Sequence, residues 1–321
     1  MPHVLVAGKI HDAGLALLRG TEGFTFDVVE EVSTASYAPL IAQADAVLIR
    51  TQPMPASVIA DAPRLKIVSR HGVGYDAVDM NALNARHIPL AIVGDVNSRS
   101  VAEHTMMFLL AVAKNTLTYD TSTREAGWNY RNTLDAVELA EKNLLLLGFG
   151  RIARHVAKMA AAFGMNVMAY DPFVPPASLR EAGVTPVSDL KQGLQQADAV
   201  SVHFPRSDNG PLLGAIELSW MKPTAIVVNT ARGGIIDEQA LYEALMSGQL
   251  RGAGLDVFSQ EPPQADHPFL KCKRLVLSPH SAGLTAEAGA RMSYSGVRNI
   301  VDFFTGRLDR SLVVNADKIA F

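Results

Sequence analysis

The chain has 321 residues, of which 48% are hydrophobic and 19% charged, with a net charge of −3. That length exceeds the usual single core and predicts two domains, and the composition is that of a globular protein with ample core. The weak negative charge gives no basic footprint, which argues against nucleic acid and against an anionic membrane surface as partners. The first residues, MPHVLVAGKI, have no basic segment ahead of a long apolar one, and no run of about 18 apolar residues occurs, so the chain reads as cytoplasmic with no membrane association. A lone cysteine, Cys272 between Lys271 and Lys273, cannot close an internal disulfide and reads as an incidental surface or semi-buried thiol.

The first 95 or so residues alternate short apolar strands (HVLVAG, FTFDVV, DAVLIR, LKIVSR, IPLAIV) with amphipathic helices, which predicts a small parallel sheet. Two loops after these strands, Arg50-Thr51-Gln52 and Arg70-His71-Gly72-Val73-Gly74-Tyr75, are candidate substrate loops. On its own the second reads as a glycine turn before the helix at Asp79; its successive N–H groups also suit an anion-binding nest.

A helix follows from about Ser100 to Asn115. Ser100-Val101-Ala102-Glu103 fits a capping box, and TMMFLLAVA is apolar nearly all round, so the helix is expected to be a buried joint between domains. His104 near its start reads as a satisfied interior histidine. The segment Thr118 to Leu139 is polar, sets Trp128 in a loop, and carries no motif.

The stretch LLLLGFGRIARHVAKMAAAFGMNVMAYDP, Leu144 to Pro172, runs from buried strand through a glycine turn and a helix to a second strand ending at Asp171. Gly148 permits the tight turn, Gly150 lets backbone approach a pyrophosphate, and Ala153 lets the helix pack close on the strand. The free N–H groups of the helix start then face the phosphates. Asp171 lies 171 − 148 = 23 residues past the first glycine, near the spacing of about 20 at which an acidic residue takes the ribose hydroxyls of a dinucleotide.

From Leu144 onward six strands alternate with helices: LLLL, NVMAYD, DAVSVHFP, TAIVVNTARGG, GAGLDVF and RLVLSPHSAG. Asp171, His203, Arg232, Asp256 and His280 each follow the last apolar residue of a strand, where open parallel sheets keep their ligands. A helix from about Thr285 to Phe304 and the apolar stretch LVVN close the chain. The fold class read from this is α/β, two doubly wound parallel-sheet domains.

With these residues in hand, the chain resembles the D-2-hydroxyacid dehydrogenase family end to end, through RHGVGYDAVD, NSRSVAEHT, GFGRIA, VVNTARGGIIDEQAL, AGLDVFSQEPP and SPHSAG in order. The resemblance implies a Rossmann nucleotide-binding domain, 99–289, inserted in a flavodoxin-like substrate domain made of 1–98 and 290–321, with a cleft and two hinges between them. It implies a homodimer, NAD as cofactor, and a small 2-oxo or D-2-hydroxy acid as substrate. The 321-residue length is expected to leave no room for the regulatory domain of many phosphoglycerate dehydrogenases.

Carried residue by residue, the resemblance puts the catalytic trio on Arg232, Glu261 and His280. A guanidinium can hold the carboxylate of a 2-oxo acid in one geometry. An imidazole can give the carbonyl oxygen its proton, and a carboxylate behind it fixes the tautomer. For the cofactor it implies Gly148, Gly150, Arg151 and Ile152 at the pyrophosphate, Asp171 at the ribose, Asp256, Thr230 and Ala231 near the nicotinamide, and His203 and Thr105 nearby. For the substrate it implies Val73 and Gly74 by backbone N–H, Arg70 and His71 at the edge of the cleft, and Arg232. Arg50, Arg70 and His71 would suit a second anionic group, beside the candidates hydroxypyruvate, glyoxylate and 3-phosphoglycerate. Asp171, with no basic residue in Pro172-Phe173-Val174, favours NAD over NADP. The alternative reading is an NAD(H)-sensing binding protein of the corepressor type with little turnover.

Overall fold

A computed structural model describes residues 1–207 and 209–319. The chain divides into two compact units, the first made of Met1–Asn97 and the stretch from Leu284 onward, the second of Ser98–Gly283. The return to the first unit thus comes earlier than the 289/290 passage expected from sequence. The reason is local: Thr285 caps the helix Ala286–Phe304, and Ala288 and Met292 bury with Val93 of the first unit.

The first unit holds five parallel strands, β1 (His3–Ala7), β2 (Thr25–Val29), β3 (Ala46–Ile49), β4 (Ile67–Arg70) and β5 (Leu90–Ala91), in the order β2-β1-β3-β4-β5. Both faces are covered, which is why the strands read as apolar runs rather than as alternations. Leu5, Val47, Ile49 and Val68 pack into one core cluster, while Val4, Val6, Ala46 and Leu48 pack with Val297 and Ile300 of the helix Ala286–Phe304 on the other face. The C-terminal apolar stretch joins β5 through an antiparallel bridge of Ala91 with Val313.

The second unit holds seven parallel strands: β6 (Asn143–Leu147), β7 (Asn166–Tyr170), β8 (Thr185–Pro186), β9 (Ala199–Val202), β10 (Ile226–Asn229), β11 (Gly252–Leu255) and β12 (Leu275–Leu277). Their order is β12-β11-β10-β9-β6-β7-β8. Sequence reading finds six of them; β8 is a two-residue strand on the edge beside β7, too short to show a pattern. The four leucines of β6 divide by parity, Leu145 and Leu147 into one cluster and Leu144 and Leu146 into the other.

The helix Ser98–Ala113 starts two residues before the expected capping box. Ser100 Oγ instead donates to Ala282 O, and Glu103 pairs with Arg99. The helix lies on the sheet of the second unit through Phe108 and Val112, and the GAGL sequence of β11 makes room for it. A Cβ on Gly254 would come within 2.5 Å of Phe108, and one on Gly252 within 2.8 Å of Val112. It is not buried all round, since Met107 is 41% exposed. The polar segment after it holds a helix, Thr116–Arg124, and a 3-10 turn, Trp128–Thr133, with Trp128 exposed. Cys272 is buried among Phe269 and Leu275 rather than at the surface. Among the described residues no helix is long and apolar enough to cross a membrane.

Candidate active site

In each sheet the strand order reverses beside β1 or β6, and the chain leaves that strand through a glycine in the left-handed region, Gly8 at φ 115° and Gly148 at φ 95°. Such switch points are where open α/β sheets take ligands. At Gly148 the requirement is doubled, because a Cβ there would lie 3.1 Å from the His203 carbonyl carbon. Gly150 is different. It precedes the helix Arg151–Ala162 with no side-chain cap, and a Cβ on it would meet nothing within 4 Å. Open space in front of the uncapped first amides, those of Arg151 and Ile152 among them, fits a pyrophosphate. Ala153 is fully buried, as close helix packing needs.

Asp171, directly after β7, accepts from Phe149 N at 2.8 Å and Phe173 N at 2.9 Å, so it fastens the glycine turn to the neighbouring strand end. A carboxylate has further lone pairs for ribose hydroxyls. His203 follows β9 and turns its Nε2 onto Ser201 Oγ at 2.9 Å, and burial pushes its imidazole down to about 3. What it presents to the glycine turn is its carbonyl.

The trio assembles on the same edge of the sheet, after β10, β11 and β12. Asn229, at the end of β10, donates to Arg232 O at 2.8 Å and accepts from Ala231 N at 2.9 Å, which curls Thr230 to Arg232 into a tight turn. Arg232 also donates to Ala231 O. Gly233 then packs so closely on the loop after β11 that a Cβ would lie 1.8 Å from Phe258 O. That loop carries Glu261, whose Oε1 accepts from Phe258 N at 3.0 Å and whose Oε2 lies 2.6 Å from His280 Nδ1. Burial alone would raise the Glu261 carboxyl; the hydrogen bonds from His280 and Phe258 and the charges of His280 and Arg232 outweigh it and hold the group below its ordinary value. His280 is half exposed and sits at φ 51°, a strained backbone for a side chain of its size.

Behind His280 stands Asp256, 1% exposed. Its backbone oxygen accepts from His280 N at 2.8 Å, Oδ1 from Ser281 N at 2.7 Å and from the Ser278 hydroxyl, and Oδ2 from Ala282 N at 2.9 Å. His104 Nε2 reaches Ser278 Oγ at 2.9 Å, and burial holds His104 below the ordinary histidine range despite the Asp256 charge. Thr105 is fully buried, and its hydroxyl bonds Val101 O and the Thr230 hydroxyl, both at 2.9 Å, so it supports Thr230 from within the helix.

In the first unit, Arg50 and the Arg70–Gly74 loop follow β3 and β4. Arg50 donates to Lys9 O at 3.0 Å, and the Arg70 guanidinium lies over Gly72 and donates to His71 O at 2.7 Å. Val73 packs on the cluster of Val93, Ala288 and Met292, with partly exposed Gly74 next in the loop. His71 is 5% exposed and bonds Ser293 Oγ at 2.9 Å through Nε2, because the helix Ala286–Phe304 of the same unit covers it.

Several supporting residues escape sequence reading. Asn229 looks like the end of an apolar strand, and Ser278 like part of a proline turn. Glu238 reads as a first-turn acid favourable to the helix Glu238–Met246, yet its Oε1 accepts from Ser259 N at 2.6 Å and its Oε2 lies 3.4 Å from His267. The one available signal is Asp237-Glu238 as paired acids at a helix start, and that signal points to capping.

Two switch-point sheets, a glycine cradle before a helix start, and an imidazole–carboxylate pair on the same strand edge define a two-domain dinucleotide-binding protein. Residues 106–282 match the family model of the NAD-binding domain of D-isomer-specific 2-hydroxyacid dehydrogenases. The chain is 35% identical to D-3-phosphoglycerate dehydrogenase of Methanocaldococcus jannaschii over 98% of its own length, and it spans 59% of the length of that relative. It is 34% identical to glyoxylate reductase of Korarchaeum cryptofilum over 97% of this chain and 96% of that one. The crystal structure of a Thermus thermophilus protein superposes with a TM-score of 0.88 at 32% identity, covering 95% of this chain and 98% of the other. The chain belongs to the D-isomer-specific 2-hydroxyacid dehydrogenase family.

Proposed function

We propose that the protein is an NAD-dependent dehydrogenase that interconverts a 2-oxo acid and its D-2-hydroxy acid. The observation that carries this reading is the 2.6 Å pair of His280 Nδ1 with Glu261 Oε2 beside Arg232. When bound, the nicotinamide supplies or accepts the hydride. Gly148, Gly150, Arg151 and Ile152 would hold the dinucleotide by its pyrophosphate, and Asp171 by its ribose, against a 2′-phosphate. Arg232 orients the substrate carboxylate and carbonyl. Glu261 keeps the Nδ1 proton of His280 in place, so Nε2 is the nitrogen that gives a proton to the carbonyl oxygen on reduction and takes it back on oxidation.

The substrate is a small acid. Arg50 and Arg70, at adjacent strand ends of the first unit, support one with a second anionic group, so 3-phosphoglycerate joins hydroxypyruvate and glyoxylate as a candidate. The exposed apolar residues Met107, Leu117 and Phe163, beside Leu110 and Met159, support a homodimer through the second unit. The test is NADH and NADPH oxidation with a panel of 2-oxo acids, singly and doubly charged. Turnover with NADH in preference to NADPH is expected. Tight NADH binding with no turnover on any acid would replace the enzyme by the NAD(H) sensor.

A further inference from the structure

The loop that bears His280 hangs on one buried carboxylate, and the hydrogen inventory of that carboxylate reaches back into the helix Ser98–Ala113. Asp256 accepts from Ser278, Ser281 and Ala282. Ser278 has a single hydroxyl hydrogen, and both oxygens of Asp256 are already held as acceptors by the N–H groups of Ser281 and Ala282, so that hydrogen goes to Asp256. The contact of His104 Nε2 with Ser278 Oγ at 2.9 Å is then a hydrogen bond only if Nε2 carries the proton. Direct contact of His104 with Asp256 is longer, 4.0 Å, so Ser278 is the link. One turn earlier on the same helix, Ser100 Oγ donates to Ala282 O at 2.7 Å. The helix therefore grips the loop at both ends, at Ser278 and at Ala282, with the φ 51° residue between them. A backbone in that region persists only where its surroundings over-determine it.

We propose that His104 is a positioning residue for the acid–base histidine: its Nε2–H orients Ser278, which with Asp256 sets the backbone of the His280 loop. The rate arm of this inference rests on the dehydrogenase reading; the backbone arm does not. The experiment compares wild type, His104→Leu, His104→Gln and Ser278→Ala by amide hydrogen exchange of the 278–283 segment, by NADH affinity, and by kcat with the best oxo acid of the panel. His104→Leu is expected to raise exchange of that segment and to lower kcat about tenfold, the scale of one lost hydrogen bond, with NADH affinity changed less than about threefold. His104→Gln, which keeps an N–H donor, restores both. Adding Ser278→Ala to His104→Leu costs no more than the larger single effect, because both break one link. Unchanged exchange in His104→Leu overturns the proposal, as does lowered thermal stability with kcat and exchange intact, or a failure of Gln to rescue. A wild type that turns over no oxo acid removes the dehydrogenase reading, and exchange with Gln rescue then decides the proposal alone.

Discussion

Glu261 Oε2 and His280 Nδ1 are 2.6 Å apart, and they arrive from opposite sides of β12, one before the strand and one after it. Pairing Nδ1 leaves Nε2 as the nitrogen that the proposed reaction would use. Against the effect of burial, the same bond, with one from Phe258 N–H, holds the Glu261 carboxyl below its ordinary range. His280→Ala is expected to lower kcat by about 10²- to 10⁴-fold while NADH affinity stays close to wild type. Glu261→Gln should lower kcat less, with NADH affinity again close to wild type. An unchanged kcat in Glu261→Gln would remove the carboxylate from the proton-transfer step.

Two glycines at different strand ends of the second unit make opposite predictions. Gly233→Ala places a Cβ into the Phe258 carbonyl and must push the Arg232 turn off the Glu261 loop, so both stability and kcat fall. Gly150→Ala meets nothing in the protein. Its thermal midpoint should stay within about 2 °C of wild type, while NADH binding weakens by about tenfold or more as the methyl occupies the pyrophosphate cradle. Thermal melts with and without NADH separate the two, and a Gly150→Ala protein that binds NADH normally would put the pyrophosphate elsewhere.

His71 gives the first unit an acid sensitivity. Burial first, then the charges of Arg50 and Arg70, push it down to about 4 from an ordinary 6.5. A histidine with a depressed folded value contributes its stability in full above about pH 6.5 and loses it as pH falls toward 4, because the unfolded chain takes up the proton first. At pH 5 the loss is about 2 kcal/mol. His71→Gln, which keeps a donor for Ser293, should flatten the decline in melting temperature between pH 7 and pH 5. If the variant declines as steeply as wild type, another group carries the effect.

The apolar face around Met107, Leu117 and Phe163 predicts the oligomeric state. Wild type should elute with the mass of a dimer in light-scattering chromatography, and Leu117→Glu, a change at a position 51% exposed, should yield a folded monomer. A monomeric wild type would leave that face without its partner copy.

Most of the strands, the glycine turn and the strand-end residues are legible in the sequence because each follows from a short-range rule: apolar runs for strands buried on both faces, glycine where φ must be positive, polar residues where a strand runs out. What sequence does not reveal is set by long-range contact. Whether His71 faces solvent or Ser293 depends on a helix more than 200 positions away. The start of the helix at Ser98 rather than Ser100 depends on Ala282 claiming the Ser100 hydroxyl. His104 reads correctly as a satisfied interior histidine, but its partner Ser278 belongs to a distant turn and has no local signature.

The Ser100–Ala282 bond has a consequence for architecture as well as for the His280 loop. Ser100 is two residues inside the start of the second unit, and Ala282 is one residue from its end. The two ends of the insert are therefore stapled to each other within the second unit, by this bond and by that of His104 with Ser278. Closure entropy depends on loop length only logarithmically, so the host unit feels a short staple where a large domain has been spliced in. An exchange of cassettes between relatives cut at 98 and 283 keeps both halves of that staple in one piece.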